Sequence, residues 1–395
     1  MICCQKNSLK QKNIVTEFTF NYFTNIELCK NDWVVATHPK NLFMQFEYLS
    51  MLEKFAPDET NFVYVIISNF DDYAGVAYFQ YKDFKPGDSL NYEKGGFNPW
   101  SNFKNFIAKR LKFSTLVSGN LLLTGEYGFY LKPEFSLKMP SVYTNVIDGT
   151  IAFLKSMKVN INLFFVKDFY QEQAEFEQKS QSFHFDFQPN MVMELREDWK
   201  DMDDYLAALM PKYRTRAKRA FKKGKELARV ELDLEQIVLH EVRLFQLYKD
   251  VANNAGFNLF HLNEAYISNL KKSLGDDFKL IAYFFDNQLV GFCTTIKNYS
   301  ELEAHCIGFD AAYNPTHQIY LNMLYDMIAV GIESKSHKIV FARTAMEIKS
   351  TVGAVGHNMF CYIRHSNSVI NRILPKVIGF LNTNAPWEQR HPFGV

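Results

Sequence analysis

Two stretches of the sequence, one in each half of the chain, combine an apolar run, an acidic turn, a glycine and a second apolar run. The first begins with the run 62–67 and reaches Gly75, and the other begins with 280–285 and reaches Gly291. β-Branched and aromatic residues that are bounded by turn formers are typical of strands. Each stretch therefore predicts a β-hairpin.

The elements predicted after each hairpin also follow one another in the same order: a strand, a helix, a strand, a short helical or irregular segment and a closing strand. In the first half they span 120–124, 142–157, 161–166, 171–179 and 191–195, and in the second half 302–309, 318–334, 338–342, 345–352 and 359–364. This order predicts a duplicated domain of about 200 residues. The alternative is a chance recurrence, because all α/β proteins contain such elements.

The length of the chain also supports two domains. A chain of 395 residues exceeds the roughly 250 to 300 residues at which a single hydrophobic core stops growing. We predict an α/β fold of two tandem domains, each with a mixed central sheet flanked by helices. The N-terminal domain is predicted to span 1–190 and the C-terminal domain 191–395.

Composition narrows the class of protein further. Apolar residues make up 47% of the chain and the formal net charge is +1, which is typical of a globular protein and excludes a surface that attracts nucleic acid throughout. The six cysteines are scattered, so we expect free thiols, a reducing compartment and no metal site. The polar opening and the lack of an apolar window of about 20 residues predict a cytoplasmic protein without signal peptide or transmembrane segment, free or peripheral at the inner membrane face.

A basic segment, 201–226, lies between the two predicted halves. It begins with acidic residues and ends with basic ones, an order that suits the dipole of a helix. Pro211 is expected to break or restart this helix midway. The basic face is predicted to bind an anionic donor or acceptor, such as tRNA or a carrier protein, through Arg214, Lys218 and Lys222. The alternative is a solvated helix face.

The segment 341–354 carries the densest set of charged groups. It follows an apolar strand and contains Arg343, Glu347, Lys349 and Gly353 within one short crossing. A glycine permits close approach of the backbone to a ligand. The segment is therefore the main candidate for a functional site.

Together with 205–223 and the ending 361–365, this segment resembles the GNAT-like acyltransferase domain of Fem-related bacterial proteins. In that family a strand runs into a Glu-x-x-Lys or Glu-x-Lys turn, then Gly, then a strand that bears Tyr. The resemblance covers roughly 191–367. It implies two GNAT-like domains, the second of which transfers an acyl or aminoacyl group to a small-molecule or lipid-linked amine, for example on a cell-envelope precursor.

Lys349 and Glu347 are the candidate catalytic residues of this segment. A positioned ammonium such as that of Lys349 can stabilise negative charge on a carbonyl oxygen or hold a phosphate. Glu347 lies beside Lys349 only if the segment is extended, and the two side chains diverge if it is helical. We expect Lys349→Met to remove activity and to leave thermal stability nearly unchanged, as for an exposed ion pair. For Glu347 an ordinary surface ion pair is the alternative.

His305 is the third candidate catalytic residue. It lies on the apolar strand 302–309, where alternation places it on the same face as Glu303 and Ile307. An imidazole there can take a proton from an attacking amine, and a hydrogen-bonded core histidine is the alternative. The remaining candidates are expected to bind substrate: Arg343, Tyr313, Tyr320, Tyr362 and Arg364.

The segment 311–320, which leads into a predicted helix, does not identify the acyl donor. GNAT enzymes hold coenzyme A on a Gly-rich turn at this place, whereas this segment contains no glycine. Asn314 or Thr316 can cap the helix instead. No permanently bound cofactor is expected, and acyl-CoA, an acyl-carrier protein and an aminoacyl-tRNA all remain as donors.

The N-terminal half lacks a counterpart of the Glu-x-Lys sequence, because the chain reads Lys167-Asp168-Phe169-Tyr170 after its strand. We therefore expect a degenerate domain that shapes the cleft or binds the acceptor. The alternative for the whole chain is a non-catalytic binding protein that retains the fold and holds an anionic partner in its cleft or on its basic helix.

Overall fold

Two mixed β-sheets organise the chain in the computed structural model, which describes residues 17–57, 59–84, 113–186, 188–254, 262–381 and 387–394. Cys3 and Cys4, two of the predicted free thiols, lie outside these ranges, and the other four cysteines are free and buried. Within the described residues, no helix is both long and apolar enough to cross a membrane.

The first sheet has the strand order β1-β2-β3-β4-β6-β15-β7, with β5 beside β3. Its strands are β1 Phe18–Phe23, β2 Asn61–Asn69, β3 Asp72–Phe84, β4 Phe113–Ser118, β5 Phe129–Leu131, β6 Leu163–Phe169, β7 Phe183–Asp186 and β15 Phe360–His365. β4 and β6 pair in parallel, and the other strand pairs are antiparallel. The crossover between β4 and β6 contains helix α3, Met139–Ser156, which starts with a proline in its first turn, where the missing N–H is tolerated.

The second sheet has the order β14-β8-β13-β12-β11-β10-β9. Its strands are β8 Asn190–Glu194, β9 Ala228–Glu231, β10 Phe278–Phe285, β11 Gln288–Asn298, β12 Glu301–Phe309, β13 Lys338–Val340 and β14 Val355–His357. β12 and β13 pair in parallel, and the crossover between them contains helix α11, Ile319–Glu333. α11 is buried over most of its length, which explains why its sequence is apolar on nearly every face.

The two sheets repeat one topology. In each, a meander of three antiparallel strands (β2-β3-β4 and β10-β11-β12) is followed by a helix and a parallel strand. The predicted fold class, a tandem α/β protein with helices on mixed sheets, is confirmed.

The two predicted closing strands are exchanged between the sheets. β8 was expected to close the first sheet, yet it pairs with β13 and β14 of the second. β15 was expected to close the second sheet, yet it pairs with β6 and β7 of the first. This part of the prediction is wrong, because a sequence pattern shows that a segment is a strand and does not show which distant strand it will join. The domain ranges 1–190 and 191–395 stay a prediction.

The remaining helices flank or connect the sheets. They are α1 Lys30–Ala36, α2 Phe46–Phe55, α4 Ala174–Ser180, α5 Met202–Ala208, α6 Pro211–Lys223, α7 Leu234–Leu239, α8 Glu241–Asn254, α9 Tyr266–Leu274, α10 Asn314–His317, α12 Met346–Ser350 and α13 Ser368–Leu381. The predicted helix 201–226 is thus two helices, and Pro211 opens the second one, as expected.

Three hydrophobic cores hold the described chain together. One packs on the first sheet and one on the second. The third contains residues of both halves, such as Tyr48 of α2 and Leu280 of β10. The two sheets therefore share a buried junction, and the candidate site lies there.

Candidate functional site at the junction of the two sheets

A β-bulge in β12 directs side chains toward the junction. Cys293 of β11 faces Ile307, whereas Thr295, two residues later, faces Ala304, so β12 contains one extra residue. The Thr294 hydroxyl accepts a hydrogen bond from the backbone N–H of Cys306 (2.9 Å) and donates one to its carbonyl (3.1 Å). Bulges re-aim side chains and are common next to active sites.

The bulge corrects the predicted alternation of β12. Ile307 packs in the core of the second sheet, and Cys306 belongs to the shared core. Glu303 and His305 contact residues of that shared core, Tyr127 and Tyr266. Ile307 therefore lies on the opposite face from Glu303 and His305, because the extra residue inverts the pattern after the bulge.

Glu303 is the most perturbed acidic group at the junction. It is only 3% exposed, and its carboxyl group accepts a 2.6 Å hydrogen bond from the hydroxyl of Tyr127. Burial raises the pKa of Glu303 to about 8, even though the bond from Tyr127 favours the ionised form. A carboxylic acid with a pKa near the working pH suits proton transfer. Glu303 is not among the residues predicted from the sequence, although a carboxyl group in an apolar strand was a usable signal.

The segment around Tyr127 is shaped by glycines. Gly125 has φ +148°, a conformation that residues with a side chain rarely adopt. A Cβ atom on Gly128 would lie 2.3 Å from the backbone nitrogen of Gly119, so only glycine fits. The ring of Tyr127 packs on that of Phe43 at a centroid distance of 4.8 Å. Backbone turns and ring packing thus hold the hydroxyl of Tyr127 at Glu303.

A cavity of about 410 Å³ lies next to this segment. Glu126, Gly128 and Phe129, the sequence neighbours of Tyr127, line it. Its other walls combine aromatic and apolar side chains with polar ones, among them Lys167 and Tyr143, whose hydroxyl bonds to a serine of β4 at 2.6 Å. An apolar concavity with a few polar groups is typical of a ligand site. The segment therefore has the cavity on one side and the Glu303 contact on the other.

His305 belongs to a buried chain of hydrogen bonds. Its Nε2 lies 3.0 Å from the hydroxyl of Tyr266, and Asn120 donates a 2.9 Å bond to the hydroxyl of Tyr48 in the same core. Burial lowers the pKa of His305 to about 4, so the imidazole is neutral at neutral pH. As arranged, it is a weaker base than Glu303.

The ammonium group of Lys349 is buried under the loop that follows β13. It donates hydrogen bonds to the carbonyl oxygens of Phe341 (2.6 Å), Ala342 (3.3 Å) and Arg343 (2.6 Å). Burial lowers the pKa of Lys349 to about 7, and the three carbonyl acceptors favour its charged form. A lysine has three N–H donors, so in this arrangement the group holds the loop. The expectation that Lys349→Met spares stability assumed an exposed side chain, whereas Lys349 is 6% exposed, so a loss of stability is expected instead.

The loop that Lys349 holds has an unusual backbone. Ala342, Thr344 and Ala345 have φ values of +57°, +69° and +48°, which residues with a side chain adopt at a free-energy cost of about 1 to 3 kcal/mol each. Such conformations persist only where the surroundings impose them. The three bonds from Lys349 supply that constraint.

Glu347 and Lys349 do not meet. The segment is helical, so their side chains diverge, as the helical alternative predicted. Glu347 is exposed and forms an ion pair with Arg390 at 3.4 Å. This arrangement is the ordinary surface ion pair that was the alternative for Glu347.

Arg343 joins the two sheets. Its guanidinium group bonds to the carboxylate of Asp168 at the end of β6 and to the carbonyl of Gln188 (2.9 Å). Lys167 also bonds to the Asp168 carboxylate, as does the backbone N–H of Gly125 (3.1 Å). Burial alone would raise the pKa of Asp168, but the two cations outweigh it and hold that pKa below its usual value. The group is a buried ion cluster between the halves.

The predicted site residues of β15 lie in the first sheet. The Tyr362 hydroxyl accepts a 2.5 Å bond from the backbone N–H of Gln173. Arg364 donates bonds to the carbonyl of Ser180 and to the carboxylate of Asp148, both at 2.7 Å. The exchange of strands therefore separates Tyr362 and Arg364 from the sheet that carries Lys349.

Tyr313 and Tyr320 pack near the start of α11. The ring of Tyr313 lies 5.5 Å from that of Phe285, and the ring of Tyr320 lies 6.1 Å from that of Phe309. Asn314 accepts a 3.1 Å bond from the backbone N–H of Tyr320, so it satisfies one donor in the first turn of α11, although the N-cap residue is Gln318 and not Asn314.

The predicted anion-binding residues on α6 have different surroundings. Arg214 donates hydrogen bonds of 2.7 to 2.8 Å to the last carbonyl groups of α5, including those of Leu206 and Leu209. Lys218 and Lys222 are exposed. Two of the three candidates are therefore accessible to an anionic partner, whereas Arg214 joins α5 to α6.

One group of side chains in the described part of the chain has the spacing of a metal site. Ligand atoms of Glu172, Glu177 and His184 lie within 4.8 Å of one another. His184 already bonds to Glu177 at 2.8 Å. The group lies around α4 and β7 and includes none of the candidate site residues.

Comparisons with known proteins concern the overall fold. No protein-family model and no curated protein sequence matches the chain. Among solved structures, FemX is 11% identical, with a TM-score of 0.49 over 91% of this chain and 99% of FemX. A tandem GNAT protein from the clavulanic acid biosynthesis pathway is 9% identical, with a TM-score of 0.49 over 89% of this chain and 99% of its own.

A third similar structure is a conserved protein of unknown function from Bacteroides thetaiotaomicron. It is 11% identical, with a TM-score of 0.48 over 87% of this chain and 99% of its own. At these identities the likeness says nothing about substrate.

Proposed function

We propose that the chain transfers an acyl or aminoacyl group from an activated donor to an amine, with Glu303 as the general base. The observation that supports this most is the pair of Glu303 and Tyr127, which joins the two halves at 2.6 Å, while the sequence neighbours of Tyr127 line a cavity. Structural carboxyl groups are rarely buried without a cation. Among the described residues, Glu303 has one hydrogen-bond partner, the hydroxyl group of Tyr127, and Lys338 acts on it only through its charge.

The reaction requires proton transfers from the amine and to the leaving group, which we assign to this pair. An amine acceptor is protonated in water and attacks only after the ammonium loses a proton, which the ionised Glu303 would accept. The amine nitrogen then bonds to the donor's carbonyl carbon and releases its second proton to solvent, and the bond from that carbon to the leaving sulfur or oxygen breaks. Burial keeps the Tyr127 hydroxyl protonated by raising its pKa well above the usual value. The proton held by Glu303 can therefore return to the leaving group through Tyr127.

The acceptor is proposed to enter through the cavity beside Tyr127. Aromatic and apolar walls suit the carbon skeleton of a small or lipid-linked amine, and Glu126, when ionised, would attract its ammonium against the opposing charge of Lys167 in the same cavity. This assigns acceptor binding to the first half, and a cell-envelope or lipid precursor fits these walls.

The donor is proposed to be carried by a macromolecule. Because Asn314 occupies an N–H group at the start of α11, a pyrophosphate there would have to displace it. Exposed Lys218 and Lys222 suit the acidic surface of an acyl-carrier protein or the phosphates of an aminoacyl-tRNA. Acyl-CoA stays the third candidate donor. A cytoplasmic location is also part of the proposal.

The test is transfer activity with a panel of acyl-carrier-protein, aminoacyl-tRNA and acyl-CoA donors, read by the mass gain of amine acceptors. Ligands that co-purify with the chain, identified by mass spectrometry, guide the choice of acceptor. Glu303→Gln should abolish most of the mass gain. The matched control is Glu301→Gln, two residues away on β12, whose carboxylate pairs with Lys338 at 2.9 Å. Ligand binding without turnover by any donor would favour a binding protein and contradict the proposal.

A further inference from the structure

Helix α13 is held to the protein by polar contacts. The side chain of Asn367 caps it by accepting bonds of 2.9 and 3.2 Å from two backbone N–H groups of its first turn. Asn371 accepts a 2.9 Å bond from the backbone N–H of His365 and donates a 3.1 Å bond to the carbonyl of Gln181. The side of the helix that carries Asn371 therefore faces the first sheet.

Three apolar side chains near the start of α13 are exposed to solvent. Val369, Ile370 and Ile373 are 74%, 39% and 50% exposed, and none of them belongs to the three hydrophobic cores of the described residues. Helical spacing places Val369 and Ile373 on one face. Contiguous exposed apolar side chains mark a surface that another apolar phase covers.

Basic residues accompany this apolar surface. Arg372 and Lys376 are exposed and four residues apart on the same helix, and the 14 residues of α13 include no acidic residue. In an amphipathic helix, apolar side chains with flanking Lys and Arg are the pattern of binding at a lipid interface. An anionic leaflet attracts each such basic residue.

We propose that this surface, made of Val369, Ile370, Arg372, Ile373 and Lys376 and called the α13 face, binds a membrane surface that contains anionic lipids. A second copy of the chain is a poorer occupant, because a two-fold contact places each patch against itself and would oppose like charges. The inference does not rest on the proposed transfer activity.

A second exposed apolar patch provides the control. Val238, Leu239 and Val242 are 54%, 78% and 71% exposed. They lie on α7 and α8 together with Glu235 and Glu241, which an anionic surface repels. This patch therefore tests whether exposed apolar side chains are sufficient for binding or whether basic residues are needed beside them.

Co-sedimentation of the full chain with lipid vesicles tests the proposal. The chain should bind vesicles of phosphatidylglycerol and phosphatidylcholine, and bind phosphatidylcholine vesicles far less. Arg372→Gln with Lys376→Gln should weaken binding roughly thirtyfold, the factor that corresponds to about 1 kcal/mol for each basic residue near an anionic surface. Val369→Ser with Ile373→Ser should weaken it further, whereas Val238→Ser with Val242→Ser should bind like the wild type.

Circular dichroism and light scattering are measured for each variant, so that loss of folding or of oligomers is distinguished from loss of vesicle binding. Equal binding of all folded variants to anionic vesicles would overturn the assignment to the α13 face. Absence of vesicle binding by the wild type would overturn the proposal itself. The proposal would also be overturned if the wild type formed dimers that the α13 substitutions dissociate and no vesicle binding were seen. No substrate is needed, so failure of the transferase proposal leaves this test unaffected.

Discussion

Tyr127 of the first half donates a 2.6 Å hydrogen bond to Glu303 of the second half, although the two residues lie far apart in the sequence. The contact depends on a glycine-shaped segment on one side and on a bulged strand on the other. Because Glu303 is buried, its protonation state couples the stability of the junction to pH. The contact therefore has consequences that can be measured without knowing the substrate.

Stability should fall with rising pH on account of Glu303. Its pKa is raised from an ordinary value of 4.5 to about 8 in the folded chain, so the folded state binds this proton more tightly than the unfolded state. The stabilisation is full below pH 4.5 and is lost as pH rises to about 8. The free energy of unfolding of the wild type should drop relative to Glu303→Gln by an amount on the order of 4 kcal/mol across that range. Urea titrations of both proteins at pH 5 to 9 measure it, and a constant difference would contradict the buried carboxyl.

Breaking the ion cluster at Asp168 should destabilise the chain. Asp168→Asn leaves the cations of Lys167 and Arg343 without their buried partner, which typically costs about 3 to 5 kcal/mol. Asp148→Asn, which removes a half-exposed partner of Arg364, should cost about 1 kcal/mol or less. Chemical denaturation compares the two.

The sign of the pH effect is opposite for Asp168. Its pKa lies below the ordinary value of 3.8, so its contribution is present above that value and is lost only as pH falls through the lower, folded pKa.

Equal stability losses in Asp168→Asn and Asp148→Asn at neutral pH would show that the cluster does not join the halves.

Removing the ammonium of Lys349 should destabilise the loop after β13. Lys349→Met leaves three backbone carbonyl groups without their donor, and unsatisfied buried polar groups cost about 1 to 3 kcal/mol each. We expect a total loss of roughly 2 to 4 kcal/mol after relaxation. Lys272→Met, at an exposed position of α9, should change stability by less than about 0.5 kcal/mol. Thermal unfolding of both variants measures this difference. Equal transition temperatures would contradict the structural role of Lys349 and favour the functional role predicted from the sequence.

The basic face of α6 should divide into structural and binding residues. Arg214→Ala removes the hydrogen bonds to the end of α5 and should cost about 1 to 2 kcal/mol of stability. Lys218→Glu with Lys222→Glu should leave stability within about 0.5 kcal/mol and weaken binding of an anionic donor, more strongly at low salt. Unchanged affinity for acyl-carrier protein and for aminoacyl-tRNA would make this helix a solvated surface.

The sequence was informative about local structure and less so about contacts across the chain. Hairpins at Gly75 and Gly291 and the break at Pro211 follow from composition within a few residues, and the structure confirms them. The exchange of β8 and β15 does not follow from local composition, because it depends on pairing between distant segments.

The same limit applies to the site. Lys349 and Arg343 were selected for their charge, and the structure shows that backbone carbonyl groups and Asp168 satisfy those charges. Glu303 was noticed only as a neighbour of His305, because burial and the approach of Tyr127 arise from tertiary packing. The bulge in β12 likewise depends on Thr294 of the adjacent strand.

The pH dependence of kcat/KM tests the central claim most directly, once the donor panel has identified a substrate pair. The wild type should show kcat/KM rising through about pH 8 and levelling above it, as Glu303 ionises, and Glu301→Gln should show the same step moved to lower pH, because the charge of Glu301 contributes to the raised pKa of Glu303. Glu303→Gln should be about 10² to 10⁴ times slower and should lack that step. A Glu303→Gln protein that keeps both the wild-type rate and the step near pH 8 would contradict Glu303 as the base.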